Sequence, residues 1–211
     1  EIARIVGGAC GGDLKDIEDE IDPLPLAGSF TPDGTLASVC VLEIQAPIDA
    51  PTWGQIKYLA TDGDHQGGGH GMSAIRAALE FMRAHTDEKE FGLWADNYSE
   101  TYKSARLEPN RSAVSFYEKL GMKKSDDFSP KLDENGVVAQ QWMVGRIDVA
   151  LQRINEWLAK RDVMPRAHVI DPGAYNAIRC TPEGAFELRY TFTKYGDRGW
   201  CDFAISDVKG L

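Results

Sequence analysis

The sequence predicts an α/β chain, in which strands and helices alternate ahead of an α+β tail, and three observations carry that expectation. Residues 26–30 and 36–44 are apolar runs on either side of Thr31-Pro32-Asp33-Gly34, a turn sequence that closes an antiparallel hairpin. From Tyr58 to Ala78 a short apolar run stops in a glycine-packed turn, and a helical pattern follows. Residues 110–122, NRSAVSFYEKLGM, form an amphipathic helix: Asn110 can cap it, Gly121 closes it, and Ala113, Phe116, Tyr117 and Leu120 recur at helical spacing.

Taken in order, Ile2 to Val6 reads as a first strand, and residues 13–21 as a short acidic helix that ends before Pro23 and Pro25. The hairpin comes next, then a Pro-containing connector at 46–51 and a strand at 56–61 that enters the glycine turn. The helix over 72–85 carries Ile75, Ala78, Leu79 and Met82 on one stripe. A strand at 91–95 leads into a polar insertion, 97–109, which holds Tyr98 and Tyr102. Beyond the helix at 110–122, residues 122–124 and 137–144 are two further strands, joined through a Glu134-Asn135-Gly136 turn. Residues 148–161 are again helical, with Leu151, Ile154, Trp157 and Leu158 as the apolar face. In the tail Phe186, Leu188, Tyr190 and Phe192 alternate with polar residues, the period of a half-buried strand, before a glycine turn leads into 200–208.

Composition narrows the function classes. A chain of 211 residues with 43% hydrophobic and 27% charged side chains can bury one core and carry an appendage. It has no apolar run long enough for a membrane span. Thirty-three acidic against 23 basic residues give a formal charge of −10, which repels nucleic acid and favours cationic partners such as polyamines, amino sugars or lysine side chains. Cys10, Cys40, Cys180 and Cys201 have neither pairing nor metal spacing, so reduced thiols and a cytoplasmic protein are expected. His65, His70, His85 and His168 likewise lack zinc-site partners, and no metal is expected.

Gly67, Gly68, Gly69 and Gly71 have no Cβ, so their N–H groups can turn inward around an anion, and the first turn of the following helix adds further unpaired donors. A phosphate or pyrophosphate is the natural occupant. Gly69-x-Gly71-x-x-Ala74 formally fits a dinucleotide fingerprint, although Asp62 to Gln66 separate it from the strand. A P-loop is excluded, because no Gly-Lys-Ser/Thr follows.

With both segments in view, the chain resembles the GNAT superfamily of acyl-CoA N-acyltransferases. Gln66-Gly67-Gly68-Gly69-His70-Gly71 matches that family's pyrophosphate loop, Gln/Arg-x-x-Gly-x-Gly/Ala. Asn110, Ala113, Tyr117, Glu118, Lys119, Leu120 and Gly121 match its second signature. The likeness runs over residues 36–147. It implies a mixed, mostly antiparallel sheet flanked by helices over residues 1–147, followed by an appendage of a helix and a β-hairpin over 148–211. The family spends one strand and two helices ahead of the hairpin, so the front of this chain is short.

The resemblance also implies a site. Leu59, Ala60 and Thr61 would splay from the neighbouring strand at a bulge, and their backbone would pair with the pantetheine arm of acetyl-CoA. The backbone of Gln66, Gly67, Gly68, Gly69, His70, Gly71 and Met72 would hold the pyrophosphate, with Asn110, Ser112 and Tyr117 on the cofactor's other side. Acyl transfer to an amine needs an unprotonated amine and a proton for the departing thiolate. A phenol with a pKa of about 10 suits the second need, which makes Tyr117 the general acid. Where relatives use a glutamate as base this chain has Gln55, and Glu43, Asp62, Asp64, Asp96 and a water relay all stay open. Acetyl-CoA and an amine acceptor are the expected partners, with no membrane or nucleic acid. The tail can pack on the sheet, pair two subunits into a homodimer or form a module of its own. A non-catalytic acyl-CoA-binding module is the alternative function; a nicotinamide enzyme would leave residues 110–122 unexplained.

Overall fold

In the computed structural model the described residues are 1–10, 13–21, 24–45, 53–86, 88–96, 113–132, 136, 138–161, 165–171, 175–180 and 186–191. The strand expected over residues 2–6 is a helix, α1 (Ile2–Cys10). Ile2, Ile5 and Val6 recur at i, i+3 and i+4, which lets a short apolar run serve either period. Packing against the sheet selects the helix, burying Ala3, Ile5 and Val6. α2 (Leu14–Ile21) follows as expected, with Ile17 and Ile21 buried.

The hairpin forms from β1 (Leu26–Phe30) and β2 (Leu36–Gln45), closed by Gly34 N–H donating to Thr31 O at 3.0 Å. β3 (Trp53–Thr61) pairs antiparallel with β2, and α3 (His70–His85) carries the chain back to β4 (Glu90–Asp96). β4 lies parallel to β3, as a strand–helix–strand crossover requires. Then come α4 (Ala113–Lys119), the two-residue strands β5 (Lys123–Lys124) and β6 (Lys131–Leu132), β7 (Val138–Arg146) and α5 (Ile147–Leu158). β8 (Arg166–Asp171), β9 (Tyr175–Cys180) and β10 (Phe186–Thr191) complete the described elements.

Eight strands make one sheet in the order β5-β7-β4-β3-β2-β1-β8, with β6 also on β7. Every pair but β3–β4 is antiparallel, so the sheet is mixed and mostly antiparallel. Alternation along β2 sorts its two faces. Cys40 and Leu42 join Ile75, Leu79 and Met82 of α3 and Ile154 and Leu158 of α5, whereas Val39 and Val41 join α1 and α2. Each fully buried aliphatic side chain of this kind stabilises the fold by about 1.5–3 kcal/mol. Burial also pushes the Cys40 thiol well above its usual range, leaving an unreactive core group.

Sequence patterning singled out none of β6, β8 and β9. Of these β8 closes the large sheet. It pairs antiparallel with β1, Gly28 opposite His168, and fills the sheet edge beside the hairpin. β9 and β10 pair with each other in a separate sheet. Residues 46–51, the insertion 97–109, Asn110, Ser112, Glu134, Asn135, Phe192 and 200–208 lie outside the described residues. Among the described residues, no helix is long and apolar enough to cross a membrane, and no group of three or more His, Cys, Asp or Glu could hold a metal ion.

Candidate active site

The pairing of β3 with β4 is brief. It consists of Gln55 opposite Gly92 and Ile56 opposite Leu93, after which the two strands part. The cause lies in β3: Val41 faces Tyr58 but Leu42 faces Ile56, so Lys57 is an extra residue, a bulge. The bulge turns the strand over. Ile56 and Leu59 join the core under α3, while Tyr58 and Ala60 face α1 and α2. Among the described residues the β4 side of β3 has no ladder partner from Lys57 to Thr61, a stretch that contains Leu59, Ala60 and Thr61. An extended amide chain can pair with such an edge as a strand would.

Beyond Thr61 the chain makes a short 3₁₀ turn, Gly63–His65, which Asp62 caps by accepting from Asp64 N–H at 3.1 Å. Asp62 also accepts from Arg4 of α1 at 2.8 Å, and that bond holds its carboxyl below the usual range. The glycine turn then delivers the chain to α3. Gly69 is the N-cap at φ +90°, with no side-chain cap bond to the first N–H groups of α3. A Cβ at Gly69 would lie 3.1 Å from the Trp157 ring, and one at Gly71 would lie 3.2 Å from Thr61 Oγ1. A Cβ at Gly67, at φ +77°, would meet nothing within 4 Å among the described residues. Ser73, fully buried in the first turns of α3, has a hydroxyl with no partner among the described residues. A backbone cradle and an open edge strand at one end of α3 fit a ligand that joins an anion to an amide-bearing arm.

The side chain of His70 does not join that cradle. Its Nδ1 is 3.0 Å from Oγ of buried Ser29 on β1. Burial first, and the neighbouring His65 second, hold the imidazole below its usual value. A depressed histidine binds fewer protons folded than unfolded, so its stabilising effect is complete above about pH 6.5 and is lost as pH falls toward the folded value. The wild-type Tm should therefore drop more between pH 7 and pH 5 than that of a His70→Gln variant. Parallel pH profiles would remove His70 from the acid limb.

On the other side of the parting, α4 packs against β4, and Tyr117 is buried at 8% exposure, edge-on to Phe116. Gly121 ends the helix at φ +88°, with Gly121 N–H on Glu118 O and Met122 N–H on Tyr117 O, a left-handed cap. Arg153 of α5 donates to the last carbonyls, Glu118 O and Lys119 O, at 3.4 and 3.3 Å. Of the carboxylates open from sequence, Asp62 is a cap and Asp96 accepts from Gln140 at 2.8 Å. Asp64 is exposed. Glu43 accepts from Gln55 at 2.6 Å and lies 3.8 Å from Lys57, so it stands beside the last paired residues of β3.

Sequence reasoning did not reach Arg161 and Trp157 as site residues. Arg161 Nη1 donates to Gly67 O at 3.0 Å, and its guanidinium lies 3.8 Å over the Trp157 ring. No residue type within the loop announces a partner so far along the chain.

No family model matches the chain, and no curated protein matches it. Among solved structures it is similar to the histone acetyltransferase HPA2 and related acetyltransferase from Corynebacterium glutamicum, at 15% identity and TM-score 0.47, over 68% of this chain and 87% of that one. It is similar to the spermidine N-acetyltransferase of Vibrio cholerae in complex with CoA and spermine, at 16% identity and TM-score 0.45, over 66% and 79%. A NatC complex bound to Gag peptide and CoA gives 15% identity and TM-score 0.48, over 69% and 87%. The mixed, mostly antiparallel sheet flanked by helices, with its parted β3–β4 pair and the glycine turn heading α3, is the arrangement that the family resemblance of the sequence implied.

Proposed function

We propose that the chain is an N-acetyltransferase that moves the acetyl group of acetyl-CoA to a primary amine of a small cationic molecule or a protein. The observation that carries this reading is the glycine turn at the head of α3, set beside a β3 edge that has lost its partner. Backbone N–H groups from Gln66 to Met72 hold the pyrophosphate, and Leu59, Ala60 and Thr61 pair with the pantetheine arm. Asn110 and Ser112 contribute from the opposite side. Acetyl-CoA supplies an activated acetyl thioester when bound. A phenol is ordinarily protonated at neutral pH, and Tyr117 serves as general acid. The transfer chemistry belongs to residues 1–147, and the insertion 97–109 with the segment 148–211 sets acceptor selectivity, since loops carry the variable contacts. A buried free thiol at Cys40 is consistent with a cytoplasmic setting.

The formal charge of −10 favours a cationic acceptor by raising its local concentration, but it also raises the amine pKa. Turnover should therefore climb toward alkaline pH as the attacking nitrogen loses its proton. An acceptor screen with acetyl-CoA across polyamines, aminoglycosides, amino acids and lysine peptides tests the reading. Acetylation of cationic amines, rising with pH, is the expected outcome. A chain that binds CoA yet acetylates nothing would be a binding module, and acetylation of anionic or neutral amines alone would sink the charge argument.

A further inference from the structure

Within residues 66–72 the glycine turn carries no Lys or Arg, and Gln66 occupies the place where the matched motif also allows arginine. The fold brings a cation there from elsewhere. Arg161 lies just past the end of α5, its backbone fixed by N–H donation to Leu158 O at 3.0 Å. Its guanidinium is stacked 3.8 Å over Trp157, and one nitrogen, Nη1, is held on Gly67 O at 3.0 Å. A Cβ at Gly69 would lie 3.5 Å from its Cδ and Nε, so the side chain runs along the turn itself. The C-terminal end of α5 favours a cation, which accounts for its being held there. Among the described residues it forms no ion pair with a carboxylate. Guanidinium has five N–H donors in a rigid fork, and one of them is spent on Gly67.

We propose that Arg161, stacked on Trp157 and anchored to Gly67 O, is a pyrophosphate-binding residue that completes the glycine cradle with the positive charge the loop lacks. The inference rests on the acyl-CoA reading above and adds to it a residue 94 positions from the loop in sequence. A charge-assisted fork to a phosphate oxygen is stronger than a neutral N–H contact, and salt weakens it more.

Calorimetric titration with CoA, at low and at elevated salt, separates charge from mere bracing. Arg161→Gln keeps an amide donor for Gly67 O but removes the charge. It should lower CoA affinity by roughly tenfold or more and flatten the salt dependence. Arg161→Lys should recover part of both. 3′-Dephospho-CoA, whose only phosphates are those of the pyrophosphate, should suffer the same loss. Wild-type affinity and salt slope in Arg161→Gln would overturn the proposal and leave Arg161 as a brace. A loss that vanishes with 3′-dephospho-CoA would overturn the pyrophosphate assignment. A wild-type chain that binds no CoA would overturn the acyl-CoA reading itself, and the two failures are thus told apart.

Discussion

Tyr117→Phe should lower turnover by about 10²–10⁴-fold, the range for losing a positioned acid, while CoA affinity stays close to wild type. Removing one hydroxyl from a side chain that is 8% exposed and packed edge-on to Phe116 leaves the aromatic volume in place. The stability cost should not exceed about 1–1.5 kcal/mol, that of one hydrogen bond. Steady-state kinetics with a cationic amine, alongside calorimetry, separates the two effects. If the phenol is the acid, the alkaline limb of the wild-type pH–rate profile near its pKa should vanish in the variant. A variant with wild-type kcat would reduce Tyr117 to packing.

The second large effect concerns the turn. Gly69→Val should weaken CoA binding by well over tenfold and destabilise the fold. At φ +90° a β-branched residue costs about 1–3 kcal/mol of backbone strain, and its Cβ would meet Trp157 at 3.1 Å. The added branches would also cover the N–H groups a phosphate must approach. Gly63→Ala is the control, because a Cβ there has nothing within 4 Å. It should change neither affinity nor Tm. Equal CoA affinity in Gly69→Val and wild type would remove the turn from the site.

The glycine turn and the α4 segment were legible because each is local. Four glycines in five residues, or a tyrosine one turn before a helix-ending glycine, have the same meaning wherever the chain folds. The parting of β3 from β4 was expected only through family resemblance, since a bulge at Lys57 is a matter of register between two strands. Ile2 to Val6 misled because five apolar-rich residues satisfy both periods, and tertiary packing chose. β8 was hidden for the opposite reason. Arg166, His168 and Ile170 are exposed and Ala167 and Val169 half-buried, so an edge strand carries little apolar signal of its own. Arg161 was beyond reach, because its role depends on where α5 ends relative to a loop folded from the other half of the chain.

β8 on the edge beside β1 has a consequence for how the molecule comes into being. The hairpin of residues 26–45 is among the first parts of this sheet to leave the ribosome, yet its outer edge is not paired until residues 166–171 emerge. Until then a strand of unpaired amides is exposed, the kind of edge that recruits other chains. The pairing of Gly28 with His168 is also among the longest-range contacts in the sheet, which raises contact order and slows closure. Co-translational folding of this protein is therefore a wait for its own C-terminal half, and chaperone demand should concentrate in that interval.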